Sequence, residues 1–421
     1  MGDRFSMRSK AFSFRGPLIL GTLLAGVVDG PSAVAQDAAK PVAWSRIEDD
    51  YRERLGAEGP LDAETREFLT RVVLPQLASE VNRPTIERVR RRIGEVPRLQ
   101  IADDAKFADV SQAILRFMDA LARDKDAAPV VRVNAMLLMG EMRTRDNRPL
   151  AKATPLLAAA AADPQLPPAV RVVAAAGLAR HVEAAKGGDA DTVAGTATPA
   201  LVAILTAKAE NGSTPPIDWL AGRALSILET LGPRAPKEAV AAAAAILADP
   251  QRAVDVRTRA AAAVGAAATP ESGIDVARAV EAVVAVAIAG LDAEAAAAER
   301  LRLERSLGGD GPAGNPAGGA AAEPKDRELA RRRESWRLST CALALDGAGG
   351  STGLARLAGE GAKGVRDLAK SLDDAAGTLQ RADTLVAQIL ERHLEPERML
   401  AGCEGVGECP HRERAITRNP A

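Results

Sequence analysis

Cys403, Cys409 and His411 form the densest group of chemically capable side chains, within Gly402-Cys403-Glu404-Gly405-Val406-Gly407-Glu408-Cys409-Pro410-His411. Two thiolates and an imidazole could ligate zinc if His393 or a carboxylate closed the tetrahedron. The spacing matches none of the common finger or ribbon spacings, and the chain has only 3 cysteines. In an exported protein two cysteines this close more readily form a disulfide across a Gly-containing loop. The expectation is a Cys403–Cys409 bridge, with free or intermolecular thiols and a metal site as the alternatives. Cys341 lies in an apolar helical stretch and is expected to be buried and inert, pairing with a C-terminal cysteine being its alternative.

Little else could do chemistry. His181 falls on a helix-packing register and reads as a core or helix-end residue. His393 and His411 have no Ser or Cys partner in a nucleophile context. There is no G-x-S-x-G, Walker-type loop, H-E-x-x-H or C-x-x-C-H. The glycines of Gly308–Gly319 have neither a preceding strand nor a Lys-Ser/Thr ending. No catalytic residue, cofactor site or metal site is therefore predicted. The basic runs Arg88/Arg90/Arg91/Arg92 and Arg331/Arg332/Arg333 are interspersed with Glu87, Glu95, Glu328 and Glu334, which suits solvated helix faces with weak ion pairs. An anionic partner site is the alternative there, and the lack of interleaved aromatics argues against single-stranded nucleic acid.

The elements that must position any site are helical. Aromatic content is 2%, alanine is abundant, and alternating β-branched runs are scarce, so the fold class is all-α. Val131, Ala135, Leu138 and Met142 fall at i, i+4, i+7 and i+11, one face of a helix. Val170/Ala174/Gly177/His181, Val256/Ala260/Ala263/Ala267 and Leu220/Ala224/Ile227/Leu231 keep that spacing, the last set opened by Trp219. Self-similarity near 40 residues marks a solenoid of paired helices. The partner helices are expected over Thr154–Ala162, Thr198–Ala207, Lys237–Ala248 and Val276–Ala289, with proline dipeptides punctuating them. Lys186–Gly195 and Glu210–Pro216 are expected to be longer loops.

The N-terminus carries an export signal: Arg4, Arg8, Lys10 and Arg15, an apolar run from Pro17 to Val28, then Ala33-Val34-Ala35. That run is short for a permanent transmembrane anchor. Cleavage near Gln36 would leave a net charge near −3, with no global field to attract nucleic acid or anionic lipid. The expected organisation is a signal peptide over 1–35, a mobile leader over 36–60, a helical cap over 61–126 and repeats over 127–306. A Gly/Ala/Pro-rich flexible linker over 307–324, helices over 325–400 and an irregular tail over 401–421 complete it.

Val131-Arg132-Val133-Asn134-Ala135, Val170-Arg171-Val172-Val173-Ala174 and Val256-Arg257-Thr258-Arg259-Ala260 resemble the helix openings of the HEAT-repeat family. The resemblance implies an α-solenoid in which Arg132, Arg171 and Arg257 pair with nearby acidic residues. It makes Ala135, Ala174, Ala224 and Ala260 the small packing positions. In the Trp219 copy Leu220 occupies the arginine's place. A fold of this kind does not specify a function. The expectation is an exported, periplasmic or extracellular, non-catalytic scaffold for a protein partner. Its alternatives are a lyase-like enzyme or accessory protein on the same fold, and an envelope-associated protein held by an uncleaved signal.

Overall fold

The computed structural model describes residues 43–185, 187–207, 215–307, 322–347 and 352–401. The stretch expected to be a signal peptide, Cys403, Cys409, His411, most of the Gly/Ala/Pro-rich stretch and most of Glu210–Pro216 lie outside the described residues. Among those described the chain is all-helical, without a named strand.

The N-terminal helices are α1 (Glu48–Gly56), α2 (Ala63–Phe68), α3 (Ile86–Gln100) and α4 (Asp104–Arg123). Asp62 and Asp103 cap α2 and α4, accepting from the amides of Thr65 and Lys106 at 2.6 Å each, because first-turn amides have no partner inside the helix. Next come α5 (Pro129–Glu141), α6 (Ala153–Ala162), α7 (Pro168–Ala184), α8 (Gly188–Thr206) and α9 (Pro215–Leu231). Proline opens α5, α7 and α9, where its missing N–H costs no hydrogen bond. The rest are α10 (Lys237–Ala248), α11 (Val254–Ala267), α12 (Val276–Leu307), α13 (Ala322–Asp346) and α14 (Ala362–Ala401). No helix among the described residues is long and apolar enough to cross a membrane.

Packing follows alternation. Helices α3, α5, α7, α9, α11 and α13 touch in succession, α6, α8, α10 and α12 form a second succession, and consecutive members such as α6 and α7 or α10 and α11 join the two. Ala135, Ala174, Ala224 and Ala260 have no solvent exposure. At two crossings nothing beyond a hydrogen fits: a Cβ on Gly140 would lie 2.7 Å from Gly177 Cα, and one on Gly265 would lie 2.5 Å from Ala344 Cα.

Three expectations need correction. Residues 44–56 are not a mobile leader. Trp44, Tyr51 and Leu55 are buried; the Trp44 indole donates to Glu48 at 2.8 Å and the Tyr51 hydroxyl donates to the Ile93 carbonyl at 3.1 Å. Residues 188–195 are the first turns of α8, not loop. Ala190, Val193, Ala194 and Ala197 bury an i, i+3, i+4, i+7 face, and Asp189 favours the positive end of the helix. Helix α13 opens at Ala322, inside the stretch assigned to the linker.

Candidate functional site

Each motif arginine has a backbone acceptor. Nε of Arg132, Arg171 and Arg257 donates to the carbonyls of Ala122, Ala161 and Leu247 at 3.0, 3.1 and 3.1 Å, ten residues earlier in every case. Those carbonyls sit in the last turns of α4, α6 and α10, where helical geometry leaves acceptors unmatched. A cation there also meets the negative end of the helix. Asp124, Asp163 and Asp249 terminate the same helices, each accepting an amide two residues on at 2.9 Å, an Asx turn. The acidic pairing expected from the resemblance is therefore replaced by carbonyl capping. The motif begins at the aspartate, an extension that spacing alone could have found. The buried register Leu220/Ala224/Ile227/Leu231 places Ala221, not Leu220, at the arginine position, so α9 lacks this cap.

The C-terminal counterpart is Arg337, nearly buried on α13. It donates to the Gly290 carbonyl of α12 at 3.3 Å and to Glu294 at 2.8 Å, and it also meets Asp255 of α11 at 2.8 Å. Arg333 grips Glu294 with two bonds of 2.9 and 2.7 Å. That grip, supplemented by Arg337, holds the Glu294 carboxyl below the usual carboxylate range against the opposing effect of burial. Burial raises the neighbouring Glu334, and the Glu294 charge adds to it. The Arg88–Arg92 run is likewise consumed internally: Arg88 and Arg92 reach Glu48 at 3.4 and 2.5 Å, Arg91 reaches Glu87 at 2.6 Å, and Arg90 approaches Glu141 at 3.3 Å.

Among the described residues two places stand out as able to receive a ligand. A cleft of about 670 Å³ lies among the N-terminal ends of α4, α6 and α8, with Phe107, Leu150 and Val193 among its walls. Its charges are mostly matched: Arg145 meets Asp104, and Arg148 meets Asp146 at 2.7 Å. Thr154, which lines the cleft, touches His181 Nδ1 at 3.0 Å. This resembles a hydroxyl beside a base, yet both residues are almost fully buried. Burial first, then Arg143 and Arg180, pushes His181 down to about 4, so the ring is neutral near pH 7. Cys341 is equally sealed, its thiol pushed up to about 12 by burial, which withholds the reactive thiolate. Among the described residues no three His, Cys, Asp or Glu side chains are grouped so as to hold a metal ion.

The second place is the outer face of α9, α11 and α13. Trp44 is 3% exposed, but Trp219 is 64% and Trp336 37% exposed. The Arg259 guanidinium lies 5.6 Å from the centroid of the Trp336 ring. Its Cδ is 3.4 Å from where a Gly222 Cβ would stand, so the side chain bridges from α9 to α13. Arg223, one turn beyond Trp219, is exposed, and Leu343, two turns beyond Trp336, is 56% exposed. The sequence reading assigned Trp219 to the repeat pattern and missed Arg223, Arg259 and Trp336 as a group. No family model matches this chain, and no curated protein is significantly similar to it.

Proposed function

We propose that the mature chain is an exported, non-catalytic interaction scaffold, a solenoid of HEAT-like helix pairs whose α9–α11–α13 face receives a protein partner. The carrying observation is two exposed tryptophans on helices of one row, with Arg259 lying between Gly222 of α9 and the Trp336 ring of α13, in a chain with very few aromatic residues. Tryptophan and arginine are the residue types that most often dominate binding energy at protein interfaces. Rows of successively packed helices, and one arginine–carbonyl cap repeated at three junctions, support the solenoid reading. Such an array presents an extended rigid surface, and selection of the partner is then a matter of geometry and of the side chains on that surface.

Affinity capture from the native extracytoplasmic fraction tests the function. The full-length chain serves as bait beside its Trp219→Ala/Trp336→Ala variant. The expected result is one partner in near-stoichiometric amount, absent from the variant. A bound chromophore co-purifying with the chain would instead support the lyase-like alternative. Mass spectrometry of the exported protein should find Gln36 as the first residue; retention of Met1–Ala35 would favour the membrane-held alternative.

A further inference from the structure

The charge on the α9–α11–α13 face narrows the partner, an inference that rests on the interaction reading above. Among the described residues Arg223 and Arg259 meet no carboxylate within ion-pair distance, and Arg259 has only the Trp336 ring. This sets them apart from Arg88, Arg91 and Arg92 of α3 and from Arg333 and Arg337, each ion-paired inside the molecule. The acids nearest in the chain offer no compensation. Asp255 is held by Arg337 at 2.8 Å, and Asp218 has a partner of its own. Two exposed guanidiniums, without a carboxylate partner among the described residues, therefore stand on the row of helices that carries the two exposed indoles.

We infer that this face binds an acidic protein segment carrying at least one aromatic or large aliphatic side chain. Apolar side chains of the segment pack on Trp219 and Trp336, and the flanking carboxylates pair with Arg223 and Arg259. Bidentate carboxylate recognition suits guanidinium groups. Stacking of Arg259 on Trp336 pre-orders one of them, which lowers the entropy cost of the new pair.

Three labelled peptides of equal length test this, each with one Phe and one Leu and with flanks of Glu, Ser or Lys. Binding to the full chain is followed by anisotropy at low and moderate salt. The Glu peptide should bind tightest and weaken severalfold as salt screens the pairs. Arg223→Glu/Arg259→Glu should reverse the preference towards the Lys peptide, and Trp219→Ala/Trp336→Ala should weaken all three. The charge-reversal variant changes only exposed positions and should keep the wild-type melting curve, and a cooperative melt of the tryptophan variant above the binding temperature separates lost binding from lost fold. Equal or tighter binding of the Lys or Ser peptide to the wild type would overturn the acidic class while leaving the docking face intact. No binding of any peptide at millimolar concentration would overturn both. Concentration-dependent dimerisation abolished by the tryptophan variant would assign the face to a second copy and overturn the inference.

Discussion

The central and C-terminal junctions both insert an arginine between neighbouring helices, but the acceptors differ. At α4/α5, α6/α7 and α10/α11 the guanidinium ends on a backbone carbonyl of the preceding helix. At α12/α13 Arg337 reaches a backbone carbonyl too, yet Glu294 and Asp255 supply most of its partners. A carbonyl cannot titrate, so a central cap is indifferent to acid; a carboxylate can. The central region has its own acid-sensitive group in His181, buried against Thr154. One structural device thus has two different sensitivities, set by what lies at the far end of the arginine. The exposed Arg223 and Arg259 make a third case in which the acceptor must come from outside.

The largest contrast should come from Glu294→Ala. It strands Arg337 in the interior with only Asp255 and a carbonyl, and removal of one partner from a buried ion pair costs about 3–5 kcal/mol. Urea unfolding at pH 7 measures this. A loss no greater than that of an exposed glutamate would remove the distinction between the two kinds of junction.

Acid should separate the regions next. His181 has a folded-state value lowered from 6.5 to about 4. Its neutral form therefore contributes stability in full above the unfolded value, and that contribution falls as pH drops from about 6.5 towards 4. The span is worth about 3 kcal/mol. The stability gap between wild type and His181→Gln should shrink across that window, with amide exchange rising first in α6 and α7. Glu294, also lowered, contributes above its ordinary value of 4.5 and loses that contribution only as pH falls through its depressed one. A constant gap for His181→Gln between pH 7 and 4 would defeat this ordering.

The smallest effect sharpens the comparison between capped and exposed arginines. Arg171→Leu removes a donor from a helix-end carbonyl and should cost about 1–2 kcal/mol. Arg259→Leu should leave the unfolding midpoint unchanged, because its guanidinium meets only a half-exposed ring. Equal losses at both positions would mean that the repeated cap has no special stabilising part.

Helical class was legible because its signals are local: the i, i+4, i+7 register, Asp62 and Asp103 ahead of apolar periods, and proline at helix starts. The packing of residues 44–56 was not legible: Trp44, Tyr51 and Leu55 stand at helical spacing, but polar neighbours made the stretch look like a mobile leader. The arginine's acceptor was not. A carbonyl becomes available only where its helix ends, and the resemblance pointed instead to acidic partners. The candidate binding face was least legible of all. Trp219 and Trp336 lie far apart in the chain, and identical residues at Trp44 and Trp219 met opposite fates. By itself the sequence determined the helical class and the apolar stripe of the central helices, because backbone hydrogen bonding and side-chain periodicity act within a few residues. Only the tertiary structure decided which arginines are satisfied and which indoles stay in water, because those outcomes depend on what the neighbouring helix brings alongside.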